Sequence, residues 1–119
     1  TTSAVNDIDF SLSDSNKVYG CSQGGEFFEL DIRSFEKKNV VLERKEAVTK
    51  MSVGKNETVG LATSDYGFTV YDMKNQKETF NTTLEDSITS VYGMKSNCNF
   101  CVSTAAKKVH VFEFQRVFV

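Results

Sequence analysis

The segment SDYGFTVYD, residues 64–72, carries the clearest structural signal in the chain. A short polar turn with Asp65 and Gly67 leads into an apolar run that closes on the aromatic and acidic pair Tyr71 and Asp72. Short apolar runs entered from a turn of this composition are typical of β-strands of about five or six residues. We therefore predict a strand over residues 68–72.

The same pattern recurs at a fixed distance on both sides of this segment. Apolar runs end on an acidic residue at positions spaced 41 residues apart, namely Asp31, Asp72 and Glu113. A hydroxyl residue stands nine positions before each of these, at Ser22, Thr63 and Thr104. A constant period of this length is the sequence signature of repeated structural units.

Each period contains short apolar or alternating runs separated by turn residues, which predicts four strands per unit. The expected strands span residues 5–10, 17–22, 26–32 and 39–43, then 48–53, 57–63, 68–72 and 78–82, then 88–92, 99–104 and 108–114. Residues 34–38 are expected to form a loop, and no segment predicts a helix. Four strands in such a period are typical of a β-propeller blade. We expect an all-β propeller segment with two complete four-stranded antiparallel blades, about 1–44 and 45–84, and most of a third, about 85–119.

The second unit resembles the WD-repeat family. That family has a hydroxyl residue in the second strand, an acidic turn and an aromatic–acidic pair ending the third strand, and here Thr63, Asp65 and the pair at 71–72 occupy those positions. The resemblance implies structural roles for the repeat residues Ser22, Asp31, Thr63, Asp65, Tyr71, Asp72, Thr104 and Glu113. The Gly-His pair that opens the family's repeats is absent from all three units. The family's Asp-His-Ser/Thr-Trp hydrogen-bond network therefore cannot form in full.

The resemblance also implies a function, because WD-repeat propellers are noncatalytic scaffolds for protein–protein interaction. The cadence of VNDIDF, residues 5–10, and of the two strands after it is similar to degenerate blades of nucleolar WD-repeat proteins in the small-subunit processome. This similarity implies a role in ribosome biogenesis and pre-rRNA processing, in the nucleus or nucleolus. The net charge is −2, whereas a protein that binds the phosphate backbone needs a basic stripe. We expect contact with RNA only indirectly, through an assembly.

Partners are expected on two kinds of surface. Propellers close with about four to eight blades, so this chain should leave apolar blade faces open at its ends, and soluble monomers rarely expose such patches. We expect the remaining blades of a longer protein to cover them, or else other subunits or copies of this chain. Loops on a rigid scaffold form the second surface. The candidate partner-binding residues there are Arg44, Lys45, Glu46, Asp65 and Tyr66.

The histidine and the acidic pairs are not expected to form catalytic or calcium-binding sites. His110, the one histidine, alternates with Val109 and Val111 and is expected to face solvent on a strand, with no nucleophile motif beside it. Asp7 and Asp9 are expected to be solvated strand positions rather than calcium ligands or an acid–base couple. We expect no enzyme activity and no cofactor.

A zinc site is also disfavoured. Cys98 and Cys101 have the Cys-x-x-Cys spacing, and Cys21 and His110 would complete four ligands. The repeat places Cys21 and Cys101 in different blades, roughly 20 Å apart at about 10 Å per stacked sheet. We therefore expect no metal, and Cys101 is expected to be an ordinary buried residue.

A free-standing β-sandwich or small barrel is the alternative fold. Such a domain would bind a ligand or be glycosylated outside the cell, and the sequons at Asn56 and Asn81 fit that interpretation. The three cysteines are an odd number and favour a reduced intracellular compartment instead. No stretch approaches the roughly 18 apolar residues of a membrane span, so no membrane partner is expected.

Overall fold

Three antiparallel sheets follow one another along the chain. The computed structural model describes residues 3–34 and 38–114. The first sheet contains β1 (Val5–Phe10), β2 (Lys17–Ser22), β3 (Glu26–Asp31) and β4 (Lys38–Glu43). The second contains β5 (Val48–Gly54), β6 (Thr58–Thr63), β7 (Gly67–Asp72) and β8 (Lys77–Thr83), and the third contains β9 (Ile88–Gly93), β10 (Phe100–Thr104) and β11 (Val109–Phe112). In every sheet each strand pairs with its sequence neighbour. We call these sheets blades one, two and three.

This architecture confirms the expected all-β fold of two four-stranded blades and most of a third. Three successive sheets that pack side by side form neither a two-sheet sandwich nor a single barrel, so the alternative fold is wrong. Within the described ranges, no helix is long and apolar enough to cross a membrane.

The expected strand bounds are accurate to one or two residues, with two local differences. Lys38 begins β4 instead of ending a loop, and residues 35–37 of the expected loop lie outside the described part of the chain. Glu57 lies in a single 3-10 turn, Lys55–Glu57, rather than at the start of a strand. This turn joins β5 to β6 and aims the Glu57 side chain toward blade one.

Two apolar cores fill the spaces between the blades. The first joins blades one and two and contains Tyr19, Cys21, Phe27, Val48, Met51, Val53, Val59, Leu61 and Tyr71. The second joins blades two and three and contains Ala62, Phe68, Val70, Ile88, Val91, Phe100 and Val102. Because blade two is covered on both faces, β6 and β7 read as nearly continuous apolar runs. In the part of the chain that the structure describes, blades one and three each pack against blade two through one face.

Candidate functional site

Two sets of loops lie at one rim, which we call the upper rim. One set leads into the first strand of a blade, and the other joins the second and third strands of a blade. The Ser64 amide donates to the Ala47 carbonyl across 2.9 Å, and the Leu84 amide donates to the Tyr66 carbonyl across 2.8 Å. These bonds tie the turn between β6 and β7 to the chain before β5 and to the chain after β8. The upper rim of blade two is therefore held in place by main-chain contacts rather than by side chains alone.

Three of the five candidate partner-binding residues meet in one cleft of about 190 Å³ on this rim. Arg44, Glu46 and Asp65 line the cleft together with the smaller side chains of Thr63, Gly67, Thr69, Asn81 and Thr83. Lys45 and Tyr66 do not line it and are exposed on the same rim. The structure thus separates the five candidates into a cleft-lining group and an exposed pair.

The charges of the cleft are mixed. The Arg44 guanidinium pairs with the Glu78 carboxylate on β8, and the Asp65 carboxylate accepts a hydrogen bond from the Thr63 hydroxyl. The Arg44–Glu78 pair is partly solvated, and exposed ion pairs contribute little net stability. The pair with Glu78 therefore holds the Arg44 side chain only weakly.

The upper-rim turns share a backbone conformation that the sequence does not predict in all three blades. Gly25, Tyr66 and Lys107 occupy equivalent positions 41 residues apart, and their φ angles are +89°, +70° and +63°. The Gly25 carbonyl accepts from the Arg44 amide at 2.7 Å. In the same way, the Tyr66 carbonyl accepts from the amide of Leu84, the residue after β8. Of these three residues, only the glycine predicts the left-handed conformation from the sequence.

The repeat hydroxyl residues of blades one and two contact their own turns, whereas Tyr71 packs across the boundary between these blades. Ser22 Oγ accepts from the Glu26 amide at 3.1 Å, while Thr63 donates to Asp65. The Tyr71 ring packs edge-on against Phe27, with 6.2 Å between ring centroids. Both hydroxyl residues therefore brace the turn that follows their strand.

The acidic repeat residues bind within their own turns. Asp31 pairs with Arg33 at 2.7 Å, and Asp72 Oδ1 accepts from the Lys74 amide at 3.0 Å. In blade three Glu113 is exposed just beyond β11. The Thr104 hydroxyl is buried and has no hydrogen-bond partner among the described residues.

The residue with the richest cross-blade bonding was missed by sequence reasoning. Glu57 of blade two lies at the rim opposite the upper rim, which we call the lower rim. Its carboxylate accepts from the hydroxyls of Ser11 and Tyr19 at 2.8 and 2.5 Å. It also accepts from the amides of Leu12 and Ser13 at 2.6 and 3.0 Å. Burial alone would raise the pKa of Glu57, but these hydrogen bonds outweigh it and the pKa is lowered. Glu57 is therefore held as a carboxylate, and its four donors all come from blade one.

Asp7 and Asp9 are also cross-blade residues, which corrects their assignment as solvated positions. Asp7 Oδ2 accepts from the Met51 amide at 3.1 Å, and Asp9 Oδ2 accepts from the Val53 amide at 2.9 Å. Both amides lie on β5, the innermost strand of the next blade. The two aspartates therefore join adjacent blades through carboxylate to main-chain hydrogen bonds.

Blade two contacts blade three in a similar way, but a hydroxyl and a thiol stand at the repeat positions of the two carboxylates. Ser52, at the repeat position of Asp9, accepts from the Gly93 amide at 2.8 Å. Cys98 stands at the repeat position of Glu57, and its sulfur receives only a contact from Asn56 Nδ2 at 3.8 Å. Among the described residues, the second boundary therefore has no buried carboxylate like the one that reinforces the first.

The histidine and cysteines occupy unrelated environments. His110 is half-buried rather than fully solvent-facing, because it lies 3.3 Å from Glu85 Oε1 and stacks on Phe112. Cys21 is fully buried, and burial, with the nearby charge of Asp7, raises the pKa of its thiol to about 12. Cys101 is only half-buried, contrary to expectation. Within residues 3–34 and 38–114, no three His, Cys, Asp or Glu side chains form a group that could hold a metal ion.

No family model matches the sequence, and no curated protein matches it. Solved structures do match. The WD40 repeats of RRP9 superpose with a TM-score of 0.80 at 7% identity, over 95% of this chain and 36% of that one. U3-55K gives 0.83 at 8% identity, over 95% and 37%, and the WD40 β-propeller domain of Doa1 gives 0.82 at 18% identity, over 98% and 38%.

These similarities establish the fold. The chain has the architecture of a segment of a WD40 β-propeller, as the repeat pattern predicted. It spans little more than a third of the length of each of these solved chains.

Proposed function

We propose that the chain is a noncatalytic scaffold segment whose upper rim in blade two docks other proteins. The WD40 propeller fold supports a role in protein interaction, because its sheets hold rim loops in fixed positions. The observation that carries the proposal is the cleft lined by Arg44, Glu46 and Asp65, beside the exposed side chains of Lys45 and Tyr66.

The chemistry of this rim favours a polar protein segment as its partner. Arg44 can form a bidentate pair with a carboxylate, while Glu46 and Asp65 can receive amides or basic side chains. Tyr66 adds an amphipathic ring, a residue type enriched at interaction hot spots. The partner therefore carries both charges and places an apolar group near Tyr66.

The finer proposal is that this scaffold works in ribosome biogenesis, in the nucleus or nucleolus, with RNA contacted only through its protein partners. The sequence cadence of residues 5–10 supports it. The shared fold of RRP9 and U3-55K is compatible with it, although at 7% and 8% identity that similarity speaks for the fold alone. The net charge of −2 supports indirect rather than direct contact with RNA.

Site-specific photo-crosslinking in cells tests the docking surface. A photoreactive amino acid is placed at Lys45 or Tyr66, and at Lys74 on the lower rim as a matched exposed control. We expect discrete protein adducts from positions 45 and 66 that are lost in an Arg44→Ala, Asp65→Ala background, and none of those adducts from position 74. Equal labelling at all three positions, or none at the upper rim, would overturn the docking proposal.

The same adducts test the finer proposal. Adducts made in ribosome biogenesis should co-sediment with particles that contain pre-rRNA, and short-wavelength crosslinking should join RNA to the adduct partners rather than to this chain. Sedimentation of the adducts away from pre-rRNA would contradict the role in ribosome biogenesis while leaving the docking surface intact.

A further inference from the structure

We propose that the lower-rim cleft between blades one and two binds a primary alkylammonium group, with Glu29 and Tyr71 as its polar contacts. The cleft has a volume of about 500 Å³ and contains Glu57 in its lining. Cavities of this size hold small ligands. The site goes beyond the proposed scaffold function, because it shares no lining residue with the upper-rim cleft.

The Tyr71 hydroxyl is an unused hydrogen-bonding group in this cleft. Tyr71 is 6% exposed and lines the cleft, yet its hydroxyl has no hydrogen-bond partner in the described ranges. Tyrosine hydroxyls that are buried usually find a partner. Within those ranges, Thr104 Oγ1 is the one side-chain oxygen or nitrogen that is both buried and unpaired. The Tyr71 hydroxyl therefore reaches solvent, through the cleft that this residue lines.

Packing of the blades does not account for this hydroxyl. Tyr71 packs on Phe27 at the first boundary, with 6.2 Å between ring centroids. Phe112 stands at the repeat position of Tyr71, and it stacks on Phe68, the repeat equivalent of Phe27, at 5.1 Å. A phenylalanine ring thus fills the same place at the second boundary. The oxygen of Tyr71 is an addition to a contact that the repeat makes without it.

Charge makes the cleft attractive to a cation. Its lining has three carboxylates and two ammonium groups, those of Asp14, Glu29, Glu57, Lys17 and Lys74. Glu57 is 4% exposed and its four donors are neutral hydroxyls and amides, so they bind the carboxylate without cancelling its charge. None of the ion pairs between described residues includes it. A partly buried negative charge attracts a cation more strongly than one in bulk water does.

Glu29 supplies a carboxylate oxygen that is not fully bonded. Glu29 stands opposite Tyr19 in the register of β2 and β3, and opposite Asn39 in that of β3 and β4, so the three side chains share one face of blade one. Its Oε1 accepts from Asn39 Nδ2 at 3.1 Å. Its Oε2 lies 3.6 Å from Lys17 Nζ, which is too far for a good hydrogen bond. Oε2 can therefore accept from a bound donor.

These acceptors favour an ammonium over a guanidinium. An ammonium carries three donors on one atom, whereas a guanidinium pairs best with both oxygens of a carboxylate. Glu29 offers Oε2 alone, because Asn39 occupies Oε1, and the second acceptor is the separate hydroxyl of Tyr71. A methylene chain attached to the ammonium needs apolar surface. The apolar part of the lining consists of Val40, Val41 and Met73.

Titration of the 119-residue chain with pentylammonium, followed by amide chemical shifts, tests the site. We expect saturable shifts at the residues that line the cleft, with a Kd of about 1 mM or tighter. Pentanol has the same chain without the charge, and pentylguanidinium has a planar head group, and each should bind at least about tenfold more weakly. No saturable shift at up to about 20 mM amine, or equal affinity for pentanol, would overturn the proposal.

Two substitutions test the contacts. Tyr71→Phe should weaken binding at least about fivefold and Glu29→Gln at least about tenfold. Without ligand, Tyr71→Phe should leave the midpoint of thermal unfolding unchanged, because the hydroxyl has no hydrogen bond to lose. Tyr92→Phe and Glu43→Gln remove the same groups at exposed positions outside the cleft, and they should bind the amine as the wild type does. Wild-type affinity in either cleft variant would contradict the assignment.

The source of the ammonium group is decided by a second pair of ligands. Nα-acetyl-lysine methylamide represents a lysine side chain of a partner protein, and its Nε-acetylated form should not bind. Tighter binding of this derivative than of pentylammonium supports the site with a protein lysine as its ligand, whereas tighter binding of pentylammonium supports it with a free amine. These tests use neither Arg44 nor Asp65, so their failure is distinguishable from failure of upper-rim docking.

Discussion

The Glu57 carboxylate of blade two lies 2.5 Å from the Tyr19 hydroxyl of blade one. Burial first, and then the hydrogen bond to Glu57, raise the pKa of Tyr19, so its hydroxyl stays protonated and donates. A buried carboxylate is tolerated when its oxygens are fully bonded, and Glu57 has two donors on each oxygen. This contact makes the lower rim of blades one and two a single bonded unit.

Replacing Glu57 with glutamine should therefore destabilise the fold. The glutamine nitrogen would take the place of one carboxylate oxygen and could not accept from the two groups that donate to that oxygen. Because buried hydroxyl or amide groups would be left unpaired, we expect a loss of about 2–3 kcal/mol in the free energy of unfolding. Urea denaturation measures it. Glu43→Gln, at an exposed position on β4, is the control and should change stability by less than about 0.5 kcal/mol. Equal effects of the two changes would contradict the structural importance of Glu57.

Stability should also depend on pH through Glu57. Its pKa is lowered in the folded chain from the ordinary value of 4.5, so its contribution is present above that value and is lost as pH falls through the lower folded pKa. We expect the free energy of unfolding to fall more steeply below pH 4.5 in the wild type than in Glu57→Gln. The lowered pKa values of Asp31 and Glu85 affect both proteins alike. Parallel pH profiles would contradict the prediction.

Asp9→Ala should loosen one cross-blade bond without disturbing the core. The Val53 amide loses its cross-blade acceptor and the exposed Phe10 amide loses its local one, and we expect a destabilisation of about 1–2 kcal/mol. Amide exchange should accelerate at Val53 more than at Gly93, whose acceptor is Ser52. Asp9→Asn keeps an acceptor oxygen and should restore protection. Unchanged exchange at Val53 in the alanine variant would show that another group satisfies this amide.

The left-handed turn position predicts opposite effects for two substitutions. A Cβ at Gly25 would lie 2.0 Å from the Arg44 carbonyl, so Gly25→Ala should cost about 2 kcal/mol or more. Lys107 holds the same conformation with a side chain, and Lys107→Gly should gain about 0.5–1 kcal/mol by removing that strain. Thermal unfolding compares them, with Lys108→Gly as the neighbouring control that should gain nothing.

The three thiols should react in a fixed order. Cys21 is fully buried, and burial raises the pKa of its thiol to about 12, whereas Cys98 and Cys101 are half-buried. Because thiolates are the reactive species, iodoacetamide at neutral pH should modify Cys98 and Cys101 well before Cys21, as peptide mass spectrometry would show. In urea all three rates should converge. Early modification of native Cys21 would contradict its burial.

The strands were predictable because each combines a short apolar run with turn residues at its ends. β1 and β2 match their expected bounds in full, since local composition and the repeat agree there. The cross-blade groups were not predictable. Asp7 and Asp9 alternate with apolar residues as any exposed strand would, and their amide partners lie 44 residues away in sequence.

The upper-rim candidates came from the repeat alone, which places loops at a rim but does not say which side chains converge. The cleft shared by Arg44, Glu46 and Asp65 depends on the main-chain bond from Arg44 to Gly25 and on the positive φ of Tyr66. Tyr66 and Lys107 are residue types that disfavour a positive φ. Their identity therefore does not predict the left-handed conformation that the fold gives them.

The aspartate bonds between blades have one consequence for how such a chain can change. Asp7, Asp9 and Ser52 bind amides of the main chain, and every amino acid except proline supplies that donor. The receiving strand is thus free to vary in side chain without losing the joint, and the chain contains no proline at all. A blade that supplies such an acceptor can join any neighbouring strand that presents a main-chain amide, so the side chains of the receiving repeat can diverge while the blades stay in register.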